Sequence, residues 1–522
     1  MARAYLSYPE TYRSTQYTAS VNDEPLFCCY GHVRKYPFAV GNVDLSYDIF
    51  AYNKEEIGFA SFEITEGESV TVKVTPRFPI QKATVRPLNK KVQAYVVDNT
   101  VTFKVTESGS YTVEFDTPHN AFHLFAEEPK DYGVSPTGND VIYFGAGEHS
   151  PGNIQMKDGD TLFLDEGAVV HGSVCAVGLK NIRILGKGIL DRSPAYFVSG
   201  ESLGSWPRQI FLHECENVEI DGIIFRDNPL WVIAMANSDG VRVNNVKMVG
   251  MWCGSTDGFD VVNSRNVSLT NSFLRNSDDN VTIKGFAPYE KMDNENILIE
   301  SCIFWCDWGV SLQIGAEACA EKYRNITFKN CDIIHATHAA MSFQTGGYAE
   351  VSNIHYEDIR VEYCNSMREP IFYLGDSDKD YGNWQENTAK SARPKRPTPP
   401  PWADELFRVR HAPPESLTDV RYEPKEEIFC PWLIHIEVCE HWHDMLAPYM
   451  PFPDIHDVSY KNITVYTEEG VPLPPSAIRG YSQDVCTRNV SIENLTVNGT
   501  RLTDFEQANI IVGPFTKNVK IK

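Results

Sequence analysis

Asparagine followed by alternating apolar residues recurs through most of this chain, and this repeat constrains the fold more than any local propensity does. The repeats begin at Asn181, Asn217, Asn266, Asn296, Asn325 and Asn353, and return at Asn489 and Asn518. Between Asn266 and Asn353 the intervals are 30, 29 and 28 residues. A unit of this length cannot bury its apolar face alone, so successive units have to stack. The repeat therefore predicts a parallel β-solenoid, in which we expect these asparagines, and Cys302 with Cys331, to form internal ladders.

The N-terminal part of the chain has a different pattern, made of short alternating runs separated by turn residues. Examples are residues 69–74 and 111–115. This pattern is typical of a β-sandwich, and it contains no catalytic cluster. The full length of 522 residues is also too great for one ordinary core. We therefore predict an all-β chain with a β-sandwich domain over residues 1–125 and a β-helix domain, which would carry any functional site, over residues 126–522.

The repeat is interrupted over about residues 364–457. This insertion is rich in proline and holds four of the nine tryptophans, Trp384, Trp402, Trp432 and Trp442. Long insertions on a rigid scaffold often carry specificity, and aromatic side chains commonly line binding sites. Trp384 is therefore a candidate substrate contact, although these rings could equally pack against the solenoid.

A group of acidic residues brackets one strand-like segment in the middle of the repeat. Asp257 precedes Asp278 and Asp279 by about one coil, so stacking should bring the acids close together, with Asp257 directly above Asp278. Like charges at close range raise a pKa, so we expect at least one carboxyl to keep its proton near neutral pH. Glycoside hydrolysis needs such a pair, one acid and one carboxylate. The alternative is that these are ordinary turn residues, which is also our interpretation of Asp260 unless it supports the acids.

The segment Thr256-Asp257-Gly258-x-Asp260, followed by the pair Asp278-Asp279, resembles the catalytic segments of right-handed parallel β-helix glycosidases of glycoside hydrolase families 28 (polygalacturonases) and 49 (dextranases). The resemblance implies a right-handed single-stranded parallel β-helix, preceded in family 49 by a β-sandwich. It also implies that Asp278 is the general acid, that Asp257 and Asp279 hold the nucleophilic water, and that no cofactor is needed. We expect inversion at the anomeric carbon.

Two motifs of the polygalacturonase pattern are altered here. Trp308 stands where the family has a histidine, and Ser342 and Gln344 stand where it has the cations that hold a uronate carboxylate. A buried carboxylate without a cation is strongly disfavoured. We therefore predict a neutral oligo- or polysaccharide substrate such as an α-linked glucan, with a polygalacturonase-like activity on uronic-acid glycans as the alternative. The predicted substrate contacts are Trp308, Gln344, Lys284, His335, His338 and Trp384.

Two other functions remain open on the sequence alone. A β-helix lyase or epimerase would need a uronic acid and a basic residue, and Lys284 is the only cation beside the acids. A carbohydrate-binding solenoid would use the acids structurally or for Ca²⁺. His435, Glu437, Cys439, His441 and His443 alternate and would share one face of a strand, but we predict no metal site because alternation arises on any exposed strand.

The formal net charge of −23 disfavours nucleic acid, anionic membranes and polyanionic glycans as partners, and favours a neutral partner. The residues after Met1 lack the apolar core of a signal peptide, and the 13 cysteines fit reduced thiols better than a disulfide framework. We therefore expect a cytoplasmic location, or an extracellular one if Met1 is not the native start.

Overall fold

The computed structural model of the chain describes residues 2–34, 39–40, 54–193, 208–252, 255–307, 309–364, 372–373 and 432–522. Almost every regular element in these residues is a β-strand. The helices are one α-helix, Glu440–Leu446, and two 3₁₀ turns, Glu10–Tyr12 and Leu88–Lys90. The chain forms a β-sandwich followed by a right-handed parallel β-helix, which confirms the predicted fold class. In the described part of the chain, no helix has both the length and the apolar character needed to span a membrane.

The sandwich consists of two sheets whose alternating apolar residues meet in one core, including Val72 and Phe103 from one sheet and Val113 and Phe122 from the other. The strands of the six-stranded sheet are Arg3–Ala4, Cys29–Arg34, Lys54–Glu63, Ala83–Arg86, Gly109–Phe115 and Thr117–Glu127. Those of the five-stranded sheet are Tyr17–Val21, Glu24–Leu26, Val70–Pro76, Tyr95–Val97 and Thr100–Val105. A further short pair joins Ala39–Val40 to Phe372–Tyr373.

The β-helix has three stacks of parallel strands, which we call the first, second and third stack. The first consists of Val141–Phe144, Thr161–Leu164, Arg183–Gly186, Glu216–Asp221, Asp239–Asn244, Arg265–Thr270, Asn294–Glu300, Lys322–Lys329, Glu350–Glu357, Asp454–Lys461, Thr487–Glu493 and Thr516–Ile521. The second consists of Ile189–Asp191, Ile224–Arg226, Lys247–Val249, Phe273–Asn276, Ile303–Cys306, Asp332–His335, Arg360–Tyr363, Thr464–Thr467 and Leu495–Val497. The third consists of Ile210–His213, Ile233–Ala236, Phe259–Val262, Val281–Gly285, Val310–Ala318, Ala339–Gly347, Trp432–Val438, Ser476–Ile478 and Ile510–Val512.

Three more strands complete the β-helix. Gly147–Ile154 pairs with Ala168–Val177, which pairs in turn with the beginnings of both the second and the third stack. Thr500–Leu502 forms a hairpin with Leu495–Val497. The last sandwich strand ends at Glu127 and the first strand of the β-helix begins at Val141. We keep the division into domains at residues 125 and 126 as a proposal.

Each coil buries alternate residues inside the β-helix. Val267, Ile297, Ile326 and Ile354 pair in successive coils of the first stack, and all are buried in one continuous core. Their separations reproduce the sequence repeat. Cys302 and Cys331 lie in the same interior, and each thiol donates to a backbone carbonyl. The prediction of an internal ladder is therefore correct for these two cysteines.

The asparagine ladder runs along the outside of the β-helix, so the expectation of an internal ladder was wrong for these residues. Asn325 donates its amide to Asn296 at 3.1 Å and accepts from Asn353 at 2.6 Å, all on the exposed surface. Each asparagine has a φ of about +55°, a conformation that asparagine tolerates better than most residues. The asparagines recur because each coil turns through this left-handed position at the same place.

The predicted insertion overlaps a strand of the β-helix. Trp432–Val438 pairs in parallel with Ala339–Gly347 on one side and with Ser476–Ile478 on the other. The third stack therefore resumes inside the range 364–457, before the first stack resumes at Asp454–Lys461. Most of residues 365–431, including Trp384 and Trp402, lie outside the described residues.

The sandwich packs against the outer face of the second stack. Phe59 and Phe125 from the sandwich join Phe273, Ile303 and Trp305 from the second stack in one apolar cluster. The outer face of the second stack is therefore occupied by protein. The turns that lead from the second stack into the third lie next to this contact, and they carry the acids.

A buried group of charges joins the two parts at this contact, and we call Arg86, Glu114, His335 and Glu362 the interface ion cluster. Arg86 lies 2.8 Å from Glu114 and 2.5 Å from Glu362. His335 contacts the other side of Glu114. Burial raises the pKa of Glu114, but the charge of Arg86 and the hydrogen bond with His335 outweigh it and hold this pKa at about 2. Burial lowers the pKa of His335 to about 4, so the ring is neutral at pH 7 and donates to the carboxylate.

Candidate active site

The paired acids lie in a turn and not in a strand. Phe273–Asn276 of the second stack ends before them, and Val281–Gly285 of the third stack begins after them. Neighbours in a regular strand would point to opposite faces, but this constraint does not apply in a turn. Asp278 and Asp279 are both half-buried, so each keeps access to solvent. The residue pair can therefore serve one cleft, as the family resemblance implied.

The strand register differs by one residue from the sequence expectation. Phe259 pairs with Val281, which makes this coil 22 residues long and places Asp257 level with Asp279. The N–H of Gly258 donates to the carbonyl of Asp279 at 2.8 Å, as this register requires. The expectation that Asp257 lies directly above Asp278 is therefore wrong, although both acids of the pair are close to Asp257.

Backbone N–H groups fix the orientation of both acids. Asp278 accepts from the N–H of Ser255 through one oxygen and from the N–H of Asp279 through the other, each at 3.0 Å. Asp279 accepts from the N–H of Val310 at 2.6 Å. A Cβ at Gly309 would lie 2.5 Å from a carboxylate oxygen of Asp279 and 2.7 Å from one of Asp278. The next coil can approach the acids this closely only because residue 309 has no side chain.

Lys284 forms ion pairs with two of the acids and does not face an open cleft. Its ammonium group lies 2.6 Å from Asp257 and 3.1 Å from Asp260, and the side chain is almost fully buried. Thr282 also donates to Asp260 at 2.7 Å. The structure does not place Lys284 against substrate, as was predicted, because its ammonium group is buried and already paired with two carboxylates. Asp260 supports Lys284, in agreement with the supporting role considered for it.

The pKa values of all four acids are raised. Burial is the largest cause in each case, and it raises the pKa of Asp257 to about 7 even though the ammonium of Lys284 opposes the shift. Burial and the charge of Asp257 raise the pKa of Asp278 to about 6. Asp279 is raised well above its ordinary value by burial and by its two acidic neighbours, and burial raises Asp260 as well. The cluster therefore holds at least one proton near neutral pH and can act as an acid and a base together.

The remaining predicted substrate contacts fall into three groups. Gln344 is half-exposed on the third stack. His338 is also half-exposed, and it lies level with Gly309 on the next coil. Contact of either residue with substrate stays a prediction. His335 is fully buried against Glu114 of the sandwich, so it cannot contact substrate and that prediction was wrong. Trp308 and Trp384 lie outside the described residues.

The alternating histidines do not share one face. The strand ends at Val438, and the chain then enters the helix Glu440–Leu446, which carries His443. Glu437 contacts Arg479 on the neighbouring coil, while His443 bonds to the carbonyl of Gly347. The side-chain placement of His441 is not described. Within the described ranges, no three His, Cys, Asp or Glu residues are grouped so that they could hold a metal ion.

Sequence reasoning missed the residues that lie level with the acids on the preceding coils. Ile210 pairs with Ile233, which pairs with Phe259. Arg208, Trp231 and Asp257 each lie two residues before one of these, so they are stacked on three successive coils. No motif marks either residue. Counting back by coil length from Asp257 would have found Trp231, but the coil that contains Arg208 has no regular spacing.

Comparison with known proteins identifies the class. Residues 150–393 match the family described as Glycosyl hydrolases family 28. The chain is 27% identical over 163 residues to Probable endopolygalacturonase D of Neosartorya fischeri, covering 31% of this chain and 30% of that protein. It is 28% identical over 147 residues to Rhamnogalacturonase A of Aspergillus niger, covering 28% of this chain and 31% of that protein. The matches thus span under a third of each relative.

The fold extends the likeness over the whole chain. Dex49A from Penicillium minioluteum superimposes with a TM-score of 0.65 and 12% sequence identity, covering 100% of this chain and 96% of that one. The fold is therefore that of the parallel β-helix proteins that the sequence predicts. Within that fold, residues 150–393 are similar to the glycosyl hydrolases of family 28.

Proposed function

We propose that this protein hydrolyses glycosidic bonds in a uronic-acid glycan of the pectin type by single displacement. Asp278 donates a proton to the leaving oxygen, while Asp257 and Asp279 hold the attacking water and remove its proton. The observation that carries the proposal is the surplus of acid. Four carboxyl groups lie together, the ammonium of Lys284 contacts only Asp257 and Asp260 among them, and the two in the turn remain accessible to solvent.

The proposed proton path begins from the resting cluster. There the pKa values of Asp257, Asp278 and Asp279 are all raised, so the three acids share the protons held at rest, and the proposed roles require that substrate binding leaves a proton on Asp278. The ammonium of Lys284, 2.6 Å from Asp257, lowers the pKa of that carboxyl but does not offset its burial. In a single displacement the proton that Asp278 gives to the leaving group is replaced by the one taken from water. Water placed between Asp257 and Asp279, which lie level on adjacent coils, would attack from the side opposite the leaving group and invert the anomeric carbon.

The relatives support a uronic-acid substrate. Both carry names that refer to galacturonans, which favours the alternative of the sequence analysis over its neutral-sugar prediction. Neutral glycans remain the second candidate because of one specific observation. The positions at which the polygalacturonase resemblance places cations are Ser342, buried, and Gln344, half-exposed, and neither carries charge.

The test is a comparison of substrates with the purified enzyme in the presence of a chelator. Polygalacturonate and a rhamnogalacturonan are each incubated beside a neutral α-glucan, and reducing ends and ultraviolet absorbance are followed together. Release of reducing ends from a uronic-acid glycan without absorbance at the wavelength of an unsaturated product supports the proposal. Cleavage of the neutral glucan alone would establish the second candidate, and an absorbing product would establish a lyase.

Proton NMR of the first-formed sugar tests the stereochemistry. We expect the anomeric configuration opposite to that of the substrate. Retention of configuration, or a glycosyl-enzyme adduct trapped on Asp257 or Asp279, would replace single displacement by a double displacement.

A further inference from the structure

Arg208 lies beside the acid cluster with its hydrogen-bonding capacity unused. Its guanidinium stacks over the rings of Phe211, at 4.6 Å, and Trp231, at 4.7 Å. Within the described ranges its side chain makes no hydrogen bond and no ion pair, and its buried Nε has no partner. The buried arginines at the sandwich contact are different, since Arg226 is paired with Asp191 and Arg275 with Asp307. An arginine held in place but left unpaired has donors available for a ligand.

The aromatic residues hold the guanidinium in a fixed place. Phe286 packs edge-on against Trp231 at 6.3 Å, and Tyr289 packs edge-on against Phe211 at the same distance. All four rings are half-exposed, so together they form a surface and not part of the core. Stacking on rings leaves the edge of the guanidinium plane, where its N–H groups lie, free for a planar anion such as a carboxylate.

The strand register fixes how far this surface lies from the acids. The N–H of Gln209 donates to the carbonyl of Trp231 at 3.3 Å, and the N–H of Val232 donates to that of Asp257 at 2.9 Å. Arg208 is therefore two coils from Asp257, a backbone distance of about 10 Å at the usual strand spacing. A glycan that runs along the β-helix axis across the acids would reach Arg208 within a short oligosaccharide.

From this geometry we infer that Arg208, stacked on Phe211 and Trp231, binds the carboxylate of a uronosyl residue of the substrate at a subsite on the N-terminal side of the acids. The inference rests on the proposed function, because it concerns the same glycan and the same site. It also supplies the cation that Ser342 and Gln344 do not. Discrimination between acidic and neutral glycans then comes from a coil that precedes the acids, and not from one that follows them.

The test measures binding, so that it does not depend on turnover. Trigalacturonate and its fully methyl-esterified form have the same sugar backbone, and the ester lacks the carboxylate charges. Their dissociation constants are measured by calorimetry in an Asp278→Asn background. Arg208→Gln should weaken binding of the acid by about tenfold, because a hydrogen bond to a charged group is lost, and should leave the ester unchanged. Arg208→Lys should restore only part of the loss, because lysine lacks the planar fork.

A control variant and a salt series complete the experiment. Arg242 lies exposed on the first stack with Asn217 as its partner, so Arg242→Gln should change neither dissociation constant. Added salt should weaken binding of the acid and not of the ester, and Arg208→Gln should abolish that difference. Equal weakening of both ligands by Arg208→Gln, or no weakening of either, would overturn the inference. Failure of the proposed function would appear separately, as wild-type enzyme that binds the acid in an Arg208-dependent manner but releases no reducing ends from it.

Discussion

Two of the buried groups of charges differ in the ratio of carboxyl groups to cations. In the interface ion cluster, Arg86 lies between Glu114 and Glu362. In the acid cluster of Asp257, Asp260, Asp278 and Asp279, four carboxyl groups lie around Lys284, which contacts Asp257 and Asp260. The pKa of Glu114 falls to about 2 while that of Glu362 rises to about 7, so one of the two interface carboxyl groups is firmly ionised. In the acid cluster the pKa values of all four acids are raised. The cation of the interface ion cluster therefore stabilises an ionised carboxylate, whereas the acid cluster keeps protons. We interpret the interface ion cluster as structural and the acid cluster as catalytic.

Neutralising the acid cluster should give the largest effect, and it should be an effect on rate. Asp278→Asn removes the proposed general acid while keeping its shape, so kcat should fall by about 10² to 10⁴. The loss should be smaller on a substrate with a good leaving group, which needs no proton. Asp279→Asn should lose rate equally on both substrates. If Asp279→Asn is the variant rescued by the better leaving group, the two roles have to be exchanged.

Removing the cation of the interface ion cluster should instead affect stability. Arg86→Met leaves Glu114 and Glu362 buried without their partner, so the free energy of unfolding should fall by about 3 kcal/mol. Urea denaturation measures this loss, and the activity per folded molecule should stay near the wild-type value. Adding Glu362→Gln to Arg86→Met should recover part of the stability. A loss below about 1 kcal/mol would show that the two regions do not differ as described.

The sign of the pH dependence separates carboxyl groups with a raised pKa from those with a lowered one. The pKa of Asp279 is raised on folding, so this group favours folding when protonated, and that stability is lost as the pH rises through its folded pKa. Asp279→Asn should therefore gain stability relative to wild type between pH 4 and pH 8, by about 1 kcal/mol. Asp239 is the matched control, since Asn266 and Arg265 outweigh burial and lower its pKa. Asp239→Asn should be less stable than wild type by a constant amount between pH 4 and pH 8, and the difference should shrink only below pH 4, where Asp239 itself takes up a proton. A variant more stable than wild type in the upper range would contradict the assignment.

A smaller effect is expected where no charge is buried. Asn325→Ala removes two ladder hydrogen bonds. It also places alanine at a φ of +57°, a left-handed conformation that alanine tolerates less well than asparagine. Unfolding by urea should show a loss of about 1 kcal/mol. Asn325→Gly loses the same bonds but accepts the backbone conformation, so it should be less destabilising than alanine in an exposed position. Equal losses in both variants would assign the whole effect to the hydrogen bonds.

Local patterns predicted the parts of this molecule that repeat. The intervals after Asn266 gave the coil length, and the acid pair marked the site because the spacing of Asp257 and Asp279 is close to one coil. The register was wrong by one residue because a coil of 22 residues cannot be told from one of 21 by spacing. The ladder of asparagines was placed inside because the sequence does not show that each one adopts a left-handed φ on the surface.

Contacts between distant parts of the chain were not predictable. His335 was predicted to contact substrate because the sequence around it does not show that its ring nitrogen bonds to Glu114, which lies 221 residues earlier. His435 to His443 alternate like a strand, but the chain turns into a helix after Cys439. Arg208 was missed because the search for a cation followed the acids along the chain. The position of Arg208 two coils from Asp257 follows only from the pairing of the strands in the third stack.

The pairing of Arg86 with Glu362 also bears on how the chain folds during synthesis. The two residues are 276 positions apart, so the ribosome completes the sandwich long before it makes Glu362. Until the coil of Arg360–Tyr363 forms, Arg86 has Glu114 as its partner within the sandwich but lacks Glu362. The apolar surface of Phe59 and Phe125 also stays uncovered until the second stack packs on it, so the nascent sandwich exposes an apolar face for much of translation. Such long-range closure is slow, and it makes the early chain a natural client for chaperones that cover apolar surface.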